Sequence, residues 1–106
     1  MEGIVHERRA GPGSGMIVLL AHQEGDDVAV AVCDADQGFT PGAYLASGAR
    51  FAIRLRAPIP LGHKVALRDL AESERVIEYG VPIGLTRRSI AAGDLVHTHN
   101  LRSARW

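Results

Sequence analysis

The stretch Arg68-Asp69-Leu70-Ala71-Glu72-Ser73-Glu74-Arg75-Val76 returns in outline as Arg88-Ser89-Ile90-Ala91-Ala92-Gly93-Asp94-Leu95-Val96. Each copy passes through an apolar residue, an alanine, a two-residue turn and an acid, then reaches a valine that enters a strand. Leu70 and Ile90 are expected to plug the underside of two similar turn-to-strand corners. Short strands joined by repeated corners imply an open, bent β structure rather than a flat sheet. The predicted class is therefore mainly β, with little helix.

Outward from the repeat, the chain reads as a series of short strands. Ile17-Val18-Leu19-Leu20 is an aliphatic run ended by the polar turn 22–26. Val28, Val30 and Val32 alternate with Ala29 and Ala31, which leaves a face of bare methyl groups for close packing. Phe51, Ile53 and Leu55 alternate with Ala52, Arg54 and Arg56, and the prolines at 58 and 60 end that strand. Val65 and Leu67, then Val76 with Tyr79, then 82–85, and finally 95–101 supply the rest. Tyr79 is expected to be a core ring with its hydroxyl at the rim. Residues 34–48, rich in Asp, Gly, Pro and Ser, read as a loop. Residues 1–15, rich in Gly and charge, read as a flexible arm, with order beginning near Met16. The expected organisation is thus an arm at 1–15, one β domain at 16–101 and a tail at 102–106.

Composition narrows the function classes. A chain of 106 residues has room for one core and hides roughly 60–70% of its unfolded surface. Twelve Lys+Arg balance twelve Asp+Glu, so there is no general electrostatic grip on phosphate backbones or anionic lipids, and neither nucleic acid nor a membrane is an expected partner. The apolar patch 16–21 is too short to span a bilayer or to serve as a signal-peptide core. The single cysteine, Cys33, is expected to be a buried, inert thiol, and it fits a reducing compartment, so the cytoplasm is the expected location.

Candidate chemistry concentrates at two places. His63 lies in Gly62-His63-Lys64, and His97 and His99 in Val96-His97-Thr98-His99-Asn100. On an extended strand, residues two apart share a face about 6–7 Å apart, so His97 and His99 could converge on one metal or one anion. A divalent metal would want a third ligand, from His63 or from a partner chain. The same spacing also suits a half-exposed strand end with no ligand. Lys64 is the one lysine beside eleven arginines, a candidate for holding a carboxylate or for acting as a base, or else a solvated strand residue. Gly62 allows an unusual dihedral or a close approach beside His63. The pairs Arg54/Arg56 and Arg87/Arg88 are carboxylate-binding candidates, or simply a soluble surface.

Three blocks carry a family likeness: Leu-Gly-His-Lys-Val-Ala-Leu-Arg-Asp-Leu from Leu61, Val-Ile-Glu-Tyr-Gly-Val-Pro-Ile-Gly from Val76, and Ile-Ala-Ala-Gly-Asp-Leu-Val-His-Thr-His-Asn-Leu from Ile90. In this order they resemble the N-terminal region of the altronate and galactarate dehydratase family, a SAF-type domain with a β-clip fold. Residues 26–31 resemble its first strand, so the likeness spans about 17–101. Ser73, where the turn commonly has glycine, and the stretch 34–56 depart from the pattern. The resemblance implies a small subunit of a two-component hydroxy-acid lyase, acting with a large catalytic region that is fused or separate. The reaction would remove water, or sulfite in sulfo-lyase members, from a small hydroxy acid with a divalent metal, usually iron(II), shared with or held by the large subunit.

By the same resemblance, His97 and His99 would serve in metal ligation or proton transfer, Lys64 would neutralise the substrate carboxylate, and His63 would act as an acid. Gly62, Asn100 and Arg68 are the implied substrate-binding residues. Such a chain is expected to be inactive without its large subunit. The alternatives are a non-catalytic SAF-type ligand-binding or assembly module, and a homo-oligomer with histidines at its interface.

Overall fold

The structure, a computed structural model, describes residues 4–7 and 16–103. Among the described residues there are ten strands and no helix, hence no helix long and apolar enough to cross a membrane. In chain order they are β1 (Val5–Glu7), β2 (Leu19–Ala21), β3 (Val28–Ala31), β4 (Gly38–Tyr44), β5 (Arg50–Leu55), β6 (Lys64–Ala66), β7 (Arg75–Glu78), β8 (Val81–Thr86), β9 (Leu95–Val96) and β10 (Leu101–Ser103). They form a seven-stranded sheet in the order β1-β5-β4-β2-β3-β6-β9 and a three-stranded sheet in the order β10-β8-β7. Only β2 and β4 run parallel; the other pairings are antiparallel. The mainly β expectation holds.

Side-chain alternation explains where the core sits. Phe51, Ile53 and Leu55 all point inward from β5 and are fully buried, joined by Leu19, Ala29, Ala31, Tyr44, Ile59 and Val65. The methyl face of β3 does pack closely, since Ala29 and Ala31 lie inside this cluster. Burial pushes the Tyr44 hydroxyl up to about 12, with Glu24 and then Asp26 adding to the shift, so the phenol stays neutral. A second cluster of Val28, Ala66, Leu70, Val76, Ile90 and Val96 draws on both sheets and joins them.

The repeat is built as a pair of interlocking corners. Leu70 and Ile90 face each other across reciprocal backbone hydrogen bonds of 2.7 and 2.8 Å, both side chains buried. Glu74 accepts from the Ala71 N–H at 2.7 Å, and Asp94 accepts from the Ala91 N–H at 3.1 Å. The corners are exchanged rather than self-closed. Ser73 N–H donates to the Thr86 carbonyl and Thr86 N–H to the Glu74 carbonyl, while Gly93 N–H donates to the Ala66 carbonyl and Ala66 N–H to the Asp94 carbonyl. Residues 66 and 86 are equivalent in the two copies, so each copy closes the corner of the other.

The small sheet is fastened to the large one by two buried acids, Asp26 and Asp27. Asp27 exchanges backbone and side-chain bonds with Ile77 at 2.8 Å each and accepts from Arg68 Nε at 2.7 Å. Asp26 accepts the amides of Tyr79 at 3.1 Å and Gly80 at 3.2 Å, which are the turn of the β7–β8 hairpin.

Five expectations are corrected. The segment 34–48 is not a loop throughout, because it holds β4, whose Thr40, Gly42 and Tyr44 are buried at alternate positions. Its glycine is a packing requirement: a Cβ on Gly42 would collide with the Phe51 ring. Order does not begin near Met16 alone, since β1 lies within 1–15 and pairs with the edge of β5; the rest of that stretch, apart from Ile4, lies outside the described residues. Arg102 and Ser103 belong to β10 rather than to a tail, and residues 104–106 lie outside the described residues. Tyr79 is a turn residue with positive φ and 58% exposure, not a core ring, because the hairpin reverses at that point. Cys33 is half-buried.

The two corners generate paired expectations. Ser73 sits at φ +62° and Gly93 at φ +90°, and a Cβ on Gly93 would run into the Arg54 carbonyl oxygen. Gly93→Ala is therefore expected to cost about 2–4 kcal/mol. Ser73→Gly should relieve a left-handed side chain and change stability by less than about 1 kcal/mol, in the stabilising direction. Urea unfolding midpoints of the full-length variants check both.

Candidate functional site

A cleft of about 630 Å³ opens where the two sheets meet. One wall comes from Gly62, His63 and Lys64 with His97 and Thr98; the other comes from Val81, Pro82 and Ile83, with Leu101. The repeat explains this arrangement, because 62–64 and 82–84 are equivalent segments twenty positions apart. One is cationic and the other apolar.

Each element of the cationic wall has a local cause. Gly62 adopts φ +84°, and its N–H donates to the Ala31 carbonyl at 2.8 Å while Ala31 N–H donates to the His63 carbonyl at 2.9 Å. These bonds bind the 62–63 turn to the end of β3. Lys64 then opens β6 opposite Val96 of β9. Beyond Val96 the chain does not continue extended: residues 97–100 form a turn. Asn100 builds it, accepting from His97 N–H at 2.9 Å and donating to the Leu95 carbonyl at 2.7 Å. The His97 carbonyl accepts the amides of Asn100 and Leu101 at 3.0 and 2.8 Å.

This turn redistributes the candidate residues. The His63 and His97 rings come together, with centroids 5.4 Å apart. His99 does not join them: the extended geometry that would place it on the face of His97 is absent, and its carbonyl accepts from Arg88 Nη2 at 3.0 Å. Asn100 is buried with both ends of its amide engaged by backbone, so it holds His97 in place instead of presenting itself to a ligand. Arg68 lies outside the cleft, its guanidinium held by Asp27 and Glu74 at 2.7 Å each. Those pairs hold the Glu74 carboxyl below its ordinary value, through the Arg68 hydrogen bond first and the Ala71 amide second.

One cleft residue, Glu78, escaped the sequence reading. Glu78 is buried, and its carboxylate lies 3.8 Å from Lys64 Nζ. The available signal was its place two residues after Val76 on one strand, which puts an acid on the inward face. Arg87 also lines the cleft, whereas Arg88 turns away to His99, so the two arginines do not act as a pair. Arg54 and Arg56 lie in a separate groove with Asp69 and Ser89, where Arg54 stacks on Phe39 and Arg56 pairs with Asp94.

Among the described residues no three His, Cys, Asp or Glu side chains converge to hold an ion. The cleft provides two imidazoles, one ammonium, one guanidinium and one carboxylate, a set suited to holding an acid and moving protons.

Residues 17–104 match the family model described as the altronate/galactarate dehydratase SAF domain. The chain is 40% identical to (2R)-sulfolactate sulfo-lyase subunit alpha of Chromohalobacter salexigens over 93 residues, covering 85% of this chain and 98% of the relative. It is 43% identical to the subunit of the same name from Paracoccus pantotrophus over 56 residues, 53% of this chain and 84% of the relative. It is 42% identical to altronate dehydratase of Escherichia coli over 78 residues, 74% of this chain but 15% of that enzyme.

Burial pushes the Glu78 carboxyl above its ordinary value; Lys64 opposes the shift and Asp26 adds to it. Between the ordinary and the raised value the folded chain holds a proton that the unfolded chain has released. Stability therefore falls as pH rises through that window and stays lowered above it. Glu78→Gln is expected to remove this dependence, so the variant gains on the wild type as pH rises from the ordinary glutamate value of about 4 into the range above it. Urea midpoints across that range measure the gain.

Proposed function

The chain belongs to the altronate/galactarate dehydratase SAF domain family, and on that footing we propose that it is the small subunit of a two-component hydroxy-acid lyase. Its cleft forms one side of an active site that a large subunit completes. The observation that carries this reading is the meeting of His63, Lys64 and His97 beside Glu78 in one cleft.

Elimination from a hydroxy acid removes the proton on the carbon next to the carboxylate and breaks the bond to the leaving group on the neighbouring carbon. The electron pair of that bond goes to the leaving group. Charge builds on the carboxylate oxygens as the proton leaves, and a nearby cation stabilises it. Lys64 suits this role, with Glu78 restraining its ammonium. Two imidazoles 5.4 Å apart suit transfers at adjacent carbons: one, neutral, accepts the carbon-bound proton, and the other, protonated, converts a leaving hydroxyl to water. A leaving sulfite departs as an anion and needs no such proton. Asn100 acts through His97, whose turn it holds.

In this proposal the divalent metal, iron(II) by family resemblance, is held by the large subunit. Among the described residues no third ligand converges with His63 and His97, which favours this division. A cytoplasmic location is part of the same reading and fits a single cysteine without a disulfide partner.

The isolated chain is expected to show no turnover and to co-purify with a large lyase subunit when the two are co-expressed. In that complex, replacing His63 and His97 together by alanine should lower kcat by about 10²–10⁴-fold, with the complex still assembled by sedimentation. Unchanged kcat, or full turnover by the isolated chain, would overturn the proposal.

A further inference from the structure

Two cationic side chains line the cleft, one from each sheet. Lys64 opens β6 in the large sheet, and Arg87 follows β8 in the small one. Lys64 is answered by Glu78. Arg87 is not: among the described residues its guanidinium has no anionic or hydrogen-bonding partner, although its backbone N–H is fixed to the Asn100 carbonyl at 2.8 Å. The anchored peptide therefore places at the lining of the cleft a guanidinium with no partner among the described residues, beside a smaller hollow that Arg87 shares with Ser73, Thr86 and Arg102. Val81, Pro82, Ile83 and Leu101, which share the lining with it, offer no hydrogen bonds from their side chains.

We propose that Arg87 is a specificity-determining residue that binds the second acid group of a dianionic hydroxy acid, a dicarboxylate or a sulfonated carboxylate. The reacting end of that acid lies at His63, Lys64 and His97. This inference rests on the reading of the cleft as part of a lyase site.

The chemistry discriminates by charge. A guanidinium donates two parallel N–H bonds to a carboxylate or sulfonate, stronger than bonds to neutral hydroxyls. The reacting carboxylate meets Lys64 and the second acid group meets Arg87, so a monoanion leaves Arg87 hydrated and gains nothing from it, whereas a dianion has a cationic donor at both ends. The volume of about 630 Å³ falls within the usual range of small-molecule sites, roughly 300–1,000 Å³.

The test uses the full chain in complex with its large subunit. Values of kcat/KM are measured for a dicarboxylic 2-hydroxy acid, a sulfonated 2-hydroxy acid and a monoanionic polyhydroxy acid, with wild type, Arg87→Gln and Arg87→Lys. Arg87→Gln is expected to lower kcat/KM about 10–100-fold for the dianion that is the substrate, to leave the monoanion within about twofold, and to be partly rescued by Arg87→Lys. The dianion affected tells the dicarboxylate from the sulfonate. Equal losses on monoanion and dianion, or no loss on either dianion, would overturn the inference. If the wild-type complex turns over none of the three, the lyase reading fails by itself. Calorimetric titration of the full chain with an unreactive dicarboxylate and its monoacid then decides: weakening by Arg87→Gln of the dicarboxylate alone supports the inference, and equal binding by both chains refutes it.

Discussion

Asp26 and Asp27, side by side at the start of β3, take up the backbone of the β7–β8 hairpin with their carboxylates. Asp27 holds Ile77 from both its main chain and its side chain, and Asp26 caps the amides of Tyr79 and Gly80. Buried carboxylates are costly unless their lone pairs are filled, and these are filled mostly by backbone N–H groups that a hairpin turn would otherwise leave open. The orientation of the small sheet follows from that satisfaction, and so does the position of everything β8 carries. The apolar wall of the cleft and Arg87 both stand where this clamp places them.

The cleft thus draws its two walls from elements fixed by different means. The cationic wall is set by main-chain bonds between residues 62–63 and the end of β3, and by Asn100 in its turn. The opposite wall is set by the acid clamp. A site assembled this way keeps its imidazoles together without relying on a long strand, which the sequence at 95–101 does not form. Membership in the dehydratase SAF family gives this arrangement its chemical context, and two of the relatives are named as subunits.

The bent β architecture was legible because its corners announce themselves: an apolar plug, a turn and an acid at fixed spacing, in which the acid caps the turn N–H in both copies. Strand β4 was hidden because Gly38, Pro41 and Gly42 are turn-forming types, while the need for a glycine under the Phe51 ring is a tertiary fact. Of the site, His63, Lys64 and His97 were legible from residue type alone. His99 was paired with His97 on the assumption of a continuous strand, and one buried asparagine is enough to turn the backbone there. Glu78 was hidden because its significance lies in burial opposite Lys64, and Arg87 was legible only as half of an arginine pair, because adjacent arginines look alike until their neighbours are known.

The exchanged corners of the repeat have a consequence for how the chain acquires its structure. Ala66 finds its partners at residues 93 and 94, and Thr86 finds its partners at residues 73 and 74. The first corner closes only after Thr86 has been made, and Ala66 waits for Asp94, so neither copy is an autonomous folding unit. Closure of loops this long precedes the contacts that reward it, which favours slow, all-or-none assembly over stepwise growth. During synthesis the nascent chain must hold its apolar plugs, Leu70 and Ile90, in solution until nearly the whole domain has emerged.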